Sequence, residues 1–286
     1  MAAELPEAGD PRAASLRAWE EAAPGWVRRQ DLVREFGAPV ATWMIDAILP
    51  QPGHRVLELA AGLGETGMLA AELVAPIGGV IISDQAEAML AGARERAEAL
   101  RLTNVEFQVL NAEWIDLPVA SVDAVLCRWG YMLMSDPQTA LGEARRVLRP
   151  GGRVALAVWD APEHNPWAAL PAEELRRREL VPAPVPGAPG QFALGEQRRV
   201  REMLEQAGFS EIHVEALELR RRHASFDELW EATLDLSRIF HDAVMARPAD
   251  ELAEIKASLA DRFARFASPD GRLEIPARTL VASATA

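Results

Sequence analysis

The stretch that most constrains this chain is Arg55-Val56-Leu57-Glu58-Leu59-Ala60-Ala61-Gly62-Leu63-Gly64-Glu65-Thr66-Gly67, a short apolar run of strand character that ends in glycines. Met68, Leu69, Leu73 and Val74 follow at helical spacing. A strand that feeds a glycine turn and then a helix makes the nucleotide-binding corner of an open α/β sheet. Its glycines let backbone approach a ligand, and the free N–H groups of the helix start point toward it.

Gly62-Leu63-Gly64-Glu65-Thr66-Gly67 also satisfies the dinucleotide pattern G-x-G-x-x-G, a weak match by itself. Glu58 discriminates. A carboxylate near the end of an apolar strand repels a pyrophosphate and welcomes a ligand that carries an ammonium and a sulfonium. That favours S-adenosylmethionine over NAD. With Glu58 as its acid, the stretch resembles motif I of the class I S-adenosylmethionine-dependent methyltransferases, an acid followed by G-x-G-x-G. Ala60 stands at the first glycine, with Gly62 and Gly64 at the others.

Ordered matches further along extend the resemblance. Val147-Leu148-Arg149-Pro150-Gly151-Gly152 looks like the L-[KR]-P-G-G signature of the ubiquinone/menaquinone-biosynthesis-type small-molecule methyltransferases, and Leu204-Glu205-Gln206-Ala207-Gly208-Phe209 looks like their entry to a sixth strand. The fold this implies is α/β and Rossmann-like. It is a seven-stranded, mostly parallel sheet of order 3-2-1-4-5-7-6, with helices on both faces, an N-terminal helical cap and a helical insertion before the last strand.

The residue pattern fits. Strands are predicted at Arg55 to Glu58, Val80 to Ser83, Val105 to Val109, Val122 to Cys127, Val154 to Trp159, Ile212 to Leu219 and Thr279 to Ala284, the first five alternating with helices. Residues 1–15 read as frayed, and 15–49 as two or three helices, giving a cap over 1–50 and a methyltransferase domain over 51–286. The proline-rich stretch 161–195 reads as a lid loop, and 225–268 as an insertion of two amphipathic helices.

Composition narrows the partners. A formal net charge of −13 argues against nucleic acid or an anionic membrane. Cys127 is the single cysteine, so no internal disulfide forms, and the five histidines show no metal-ligand spacing. The opening Met1 to Asp10 has neither the basic region nor the apolar core of a signal peptide, and no apolar run approaches a membrane span. A cytoplasmic location is expected, with a homodimer left open.

Asp84, ending the second strand, is placed to accept both ribose hydroxyls of an adenosine or to cap a helix within Asp84-Gln85-Ala86-Glu87. Gln85 flanks the adenine. The resemblance implies that Asn111-Ala112-Glu113 holds the adenine edge; the alternative for Asn111 is an Asx turn. Trp114 packs on the base or fills the core. The resemblance also gives the Arg128 backbone carbonyl to the methionine ammonium, while the Arg128 side chain faces solvent or an acceptor oxygen. Trp19, Trp26, Trp129 and Tyr131 are candidates to line the acceptor site, the first two otherwise serving as core. His164 and Tyr131 are the candidate general bases, each with a blander reading as loop or wall residue.

The activity expected is methyl transfer from S-adenosyl-L-methionine to a small apolar or aromatic acceptor, leaving S-adenosyl-L-homocysteine. The rivals are a non-catalytic S-adenosylmethionine-binding partner or sensor and an NAD(P)-dependent oxidoreductase.

Overall fold

The computed structural model describes residues 11–286. The reading of Met1 to Asp10 lies outside the described residues, and the chain is already helical from Pro11, where fraying was expected. Two helices open it, α1 (Pro11–Arg28) and α2 (Gln30–Ile48). The alternating body follows as β1 (Arg55–Glu58), α3 (Glu65–Val74), β2 (Gly79–Asp84), α4 (Glu87–Ala99), β3 (Val105–Val109), β4 (Val122–Arg128), α5 (Pro137–Val147) and β5 (Leu148–Trp159). After these come α6 (Pro166–Arg177), α7 (Gln197–Gln206), β6 (Ser210–His223), α8 (Phe226–Leu236), α9 (Arg238–Met245), α10 (Ala249–Phe263) and β7 (Leu273–Thr285).

Over the described residues the strands form one seven-stranded sheet of order β3-β2-β1-β4-β5-β7-β6. The first five strands are parallel, with Leu57 of β1 beside Ile81 of β2 on one side and Val125 of β4 on the other. β7 runs antiparallel to both β5 and β6. The crossovers lead outward in opposite directions from β1 and β4, so the strand order reverses between them and a crevice opens at their carboxyl ends. The expected order and sheet are borne out.

Near-continuous apolar runs suit strands covered on both faces, and Leu57, Ile81, Ile82, Val125 and Leu126 are buried. Val40, Met44 and Ile48 of α2 join the same core, so the second helix of the cap is continuous with the sheet. Among the described residues no helix is long and apolar enough to cross a membrane.

Two stretches differ from expectation. The segment read as a lid loop over 161–195 carries α6, because Asn165 anchors its start. The Asn165 amide donates to the carbonyls of Asp160, Ala161 and Arg278 and accepts from the Arg278 N–H, and Pro166 opens the helix. Only 178–196, where the prolines crowd, lacks helix and strand. The insertion holds three helices instead of two, since Ser237 stops α8 and its hydroxyl accepts the Phe240 N–H that starts α9. Its helices build a second core with α6 and β7 around Leu175, Trp230, Phe240, Leu259 and Ile275.

Candidate functional site

β1 delivers the chain into a loop that turns left-handed three times, at Ala60 (φ 48°), Gly62 (φ 56°) and Gly64 (φ 74°). The alanine at the first glycine position thus takes up the backbone conformation of a glycine. A side chain at Gly62 would meet nothing within 4 Å, so this backbone borders open space. That space is a cleft over the ends of β1, β2 and β4, walled by Ala60, Gly62, Asp84, Asn111 and Trp129 and roofed by Trp19 and Trp26 of α1.

Asp84 is the anchor of the cleft. It is 8% exposed; its Oδ2 accepts the Gly62 N–H at 2.9 Å and its Oδ1 the Ala86 N–H at 3.0 Å. Burial raises its pKa, and the two N–H groups work against that rise. Each oxygen keeps a lone pair for a further donor. The capping task falls to Glu20 of α1, whose carboxylate accepts the N–H groups of Glu87 and Ala88 at 2.8 and 3.0 Å.

Gln85, Ala112 and Glu113 also line the cleft. Asn111 forms the Asx turn, its Oδ1 accepting the Glu113 N–H at 2.8 Å, and still borders the cleft with a second lone pair. Glu113 is tied to Arg12 at 2.7 Å. Trp114 does neither of the things expected of it. The tight turn that bridges Asn111 to Trp114 throws the indole outward, 77% exposed.

Other expectations are corrected by burial. Glu58 does not reach the cleft; its carboxylate accepts the Gly67 N–H at 2.9 Å and holds the start of α3 against β1. Burial pushes its pKa up to about 8, against the pull of Arg128. Gly64 likewise faces the core, where a side chain would press on Ile82 and Met68 at 3.1 and 3.2 Å. The Arg128 side chain is turned from solvent: it pairs with Glu65 at 2.7 Å and donates to the Thr66 hydroxyl at 3.0 Å.

The two candidate bases are not brought to the cleft. Tyr131 is 1% exposed, does not line it, and its phenol lies well above its ordinary pKa because it is buried. His164 sits exposed in the short turn Pro162–His164, outside the lining. Cys127 is inert, its thiol pushed up to about 12 by burial.

Sequence reasoning missed what stands beside Trp129. Its ring stacks on Trp159 at 4.4 Å and on Phe36 at 5.8 Å, and Trp167 meets Trp159 edge-on at 4.9 Å. Phe36, Trp159 and Trp167 come from α2, β5 and α6. The only signal in the sequence was the run of aromatics at element ends.

The donor set fits S-adenosylmethionine. Asp84 puts a carboxylate on the cleft wall, which disfavours a pyrophosphate there and favours a cation. Asp84 presents the paired acceptor oxygens a ribose requires, and the Gly62 backbone leaves the room.

Comparison with known proteins agrees. The family described as "Methyltransferase domain" matches residues 50–208, more than half of the chain. A ubiquinone/menaquinone biosynthesis C-methyltransferase from Pseudoalteromonas translucida is 35% identical over 114 residues, 40% of this chain and 45% of that relative. A demethylmenaquinone methyltransferase from Thermus thermophilus is 36% identical over 140 residues, 47% of this chain and 62% of the relative. The chain thus spans less than two thirds of the length of these curated relatives. The solved structure of the YcgJ protein from Bacillus subtilis superposes with a TM-score of 0.57 at 19% identity, covering 86% of this chain and 97% of that one, which is a likeness of fold. On the family match, together with the glycine loop and Asp84, the chain belongs to the class I S-adenosylmethionine-dependent methyltransferases.

Proposed function

We propose that this chain transfers a methyl group from S-adenosylmethionine to a small apolar or aromatic acceptor, in the manner of the C-methyltransferases it is similar to. The observation that carries the reading is Asp84, buried beside the glycine loop with one lone pair spare on each oxygen. When bound, S-adenosylmethionine supplies a methyl already activated for in-line displacement.

The chain's own part is binding, alignment and exclusion of water. Asp84 accepts the ribose hydroxyls, Asn111 and Ala112 meet the adenine edge with Gln85 beside it, and the Arg128 carbonyl takes the ammonium. Ala60 and Gly62 provide the cradle, which Glu58 and Gly64 hold in shape from behind. Trp19, Trp26 and Trp129 wall the side where an acceptor enters. Tyr131 and His164 both lie away from the cleft, so neither takes the proton that a carbon acceptor sheds on methylation. A cytoplasmic enzyme acting on a small molecule, without nucleic acid, completes the reading.

The test is thermal unfolding of wild type and Asp84→Ala with S-adenosylhomocysteine, S-adenosylmethionine or NADH. A ligand at ~100 times its dissociation constant adds roughly 2.7 kcal/mol of stability. Protection by the first two, lost in Asp84→Ala, is expected. Protection by NADH alone would overturn the reading. Binding without S-adenosylhomocysteine production across an acceptor panel would leave a sensor instead of an enzyme.

A further inference from the structure

β6 presents an unusual inner face. Leu219, Arg221 and His223 alternate inward along it and all are buried, Arg221 at 9% exposure. Arg221 has no hydrogen bond or ion pair among the described residues, and its Nε is buried without a partner. Its contacts are two ring faces: Phe36 at 4.8 Å and Trp167 at 4.2 Å. Beside it neither ring nitrogen of His223 has a partner. Burial and the Arg221 charge push that imidazole down to about 4, so it stays neutral and leaves Arg221 the uncompensated charge.

Arg221 borders a cavity of about 240 Å³ between α2 and β6. Phe36 lines the same cavity and stacks on Trp129, which walls the cofactor cleft. One pair of stacked rings therefore links the edge of the cleft to a buried, uncompensated guanidinium. Ring contacts return only part of the hydration a buried cation gives up. An incoming anion would return the rest.

Resting on the methyl-transfer reading, we infer that this cavity receives a carboxylate borne by the methyl acceptor, with Arg221 as its counter-ion and Phe36, Leu32 and Leu219 against the adjoining apolar group. The charge of the lining selects a monoanion. Glu35 and Glu218 also line the cavity, and acids there repel a dianion such as a phosphate monoester more than a monoanion. A planar guanidinium meets a carboxylate in two parallel bonds, which orients the acceptor as well as holding it.

The experiment is isothermal titration of wild type with phenylacetate and with phenylacetamide, its neutral counterpart, with and without saturating S-adenosylhomocysteine. Wild type is expected to prefer the acid by about tenfold or more, the ratio a charge-assisted hydrogen bond supports. In Arg221→Met the ratio falls to about one, S-adenosylhomocysteine affinity is unchanged, and the melting temperature holds or rises because an unpaired charge has left the interior. Arg221→Gln repeats the test should Arg221→Met not fold. Equal binding of acid and amide by wild type, or a preference that survives loss of the guanidinium, would overturn the proposal. If wild type does not bind S-adenosylhomocysteine, the methyl-transfer reading fails, and the acid-to-amide ratio in the cofactor-free protein still decides whether Arg221 marks a carboxylate site.

Discussion

Asp84 and Arg221 are both charged, both nine-tenths buried and both at the edge of a cavity, yet they are held in opposite ways. Asp84 is gripped by backbone N–H groups of its own loop and the loop beside it. Arg221 is gripped by the faces of two rings from α2 and α6. Backbone donors keep a carboxylate in one place whatever the neighbouring side chains do, and they suit a ligand whose shape does not change. Side-chain walls drawn from separate segments can be altered one at a time. The cofactor side of this molecule is built in the first manner and the cap side in the second.

If the cofactor side depends on backbone geometry, small intrusions there should cost most. Gly67 is the sharpest case. A methyl group at this position would stand 2.5 Å from the Glu58 carboxylate, 3.2 Å from Ile82 and 3.3 Å from Val80. Gly67→Ala is expected to lose about 1–3 kcal/mol in urea unfolding, as overpacked cores do. Gly142 in α5, where a methyl group meets nothing within 4 Å, is the control. Gly142→Ala should gain roughly 0.5–1 kcal/mol from helix propensity. Equal effects at the two sites would break the comparison.

Buried titratable groups separate the regions by pH. Glu58 ordinarily titrates near 4.5 and here near 8, so between these values the native state binds more protons than the unfolded chain. Its contribution to stability therefore falls as pH rises through that window. His223 is moved the other way, from 6.5 to about 4. Across that range the unfolded chain binds more protons, and its contribution falls as pH drops. Glu58→Gln should accordingly gain stability relative to wild type from pH 5 to 8, and His223→Leu should gain relative to wild type from pH 6.5 down to 4. Chemical denaturation at a series of pH values reads both slopes; no difference in slope between a variant and wild type would show that its group titrates as it does in the unfolded chain.

The same contrast explains what could be read from the sequence. The strands, the loop at Gly62 and the position of Asp84 follow from apolar runs and glycines a few residues apart, where local chemistry decides conformation, while the sheet order came from the family resemblance. Glu58 was legible as an acid at a strand end, but its turn toward the Gly67 N–H depends on how α3 packs on β1. Tyr131 and Trp114 were misplaced for a related reason: one aromatic side chain went inward and the other outward, and only tertiary packing settles which. Arg221 was beyond reach because β6 runs on past Leu219, the point where the alternation of apolar residues stops. A run of three arginines reads as a solvated face until the strand continues and turns the middle one inward.

Ala60 tests how firmly the backbone of the cofactor side is set. Its φ of 48° is left-handed, a conformation that costs a non-glycine residue roughly 1–2 kcal/mol. Glycine would remove that strain and would cost about 0.4–1 kcal/mol through the freer unfolded chain. The alanine methyl also faces Gly130, where a side chain would come within 2.6 Å of it, so the two small residues are fitted to each other across the ends of β1 and β4. The balance predicts a gain of about 0–1.6 kcal/mol for Ala60→Gly. A loss in place of the gain would mean that the contact with Gly130, and not the loop's own glycines, holds the turn. The cofactor side would then be no more independent of its side chains than the pocket around Arg221.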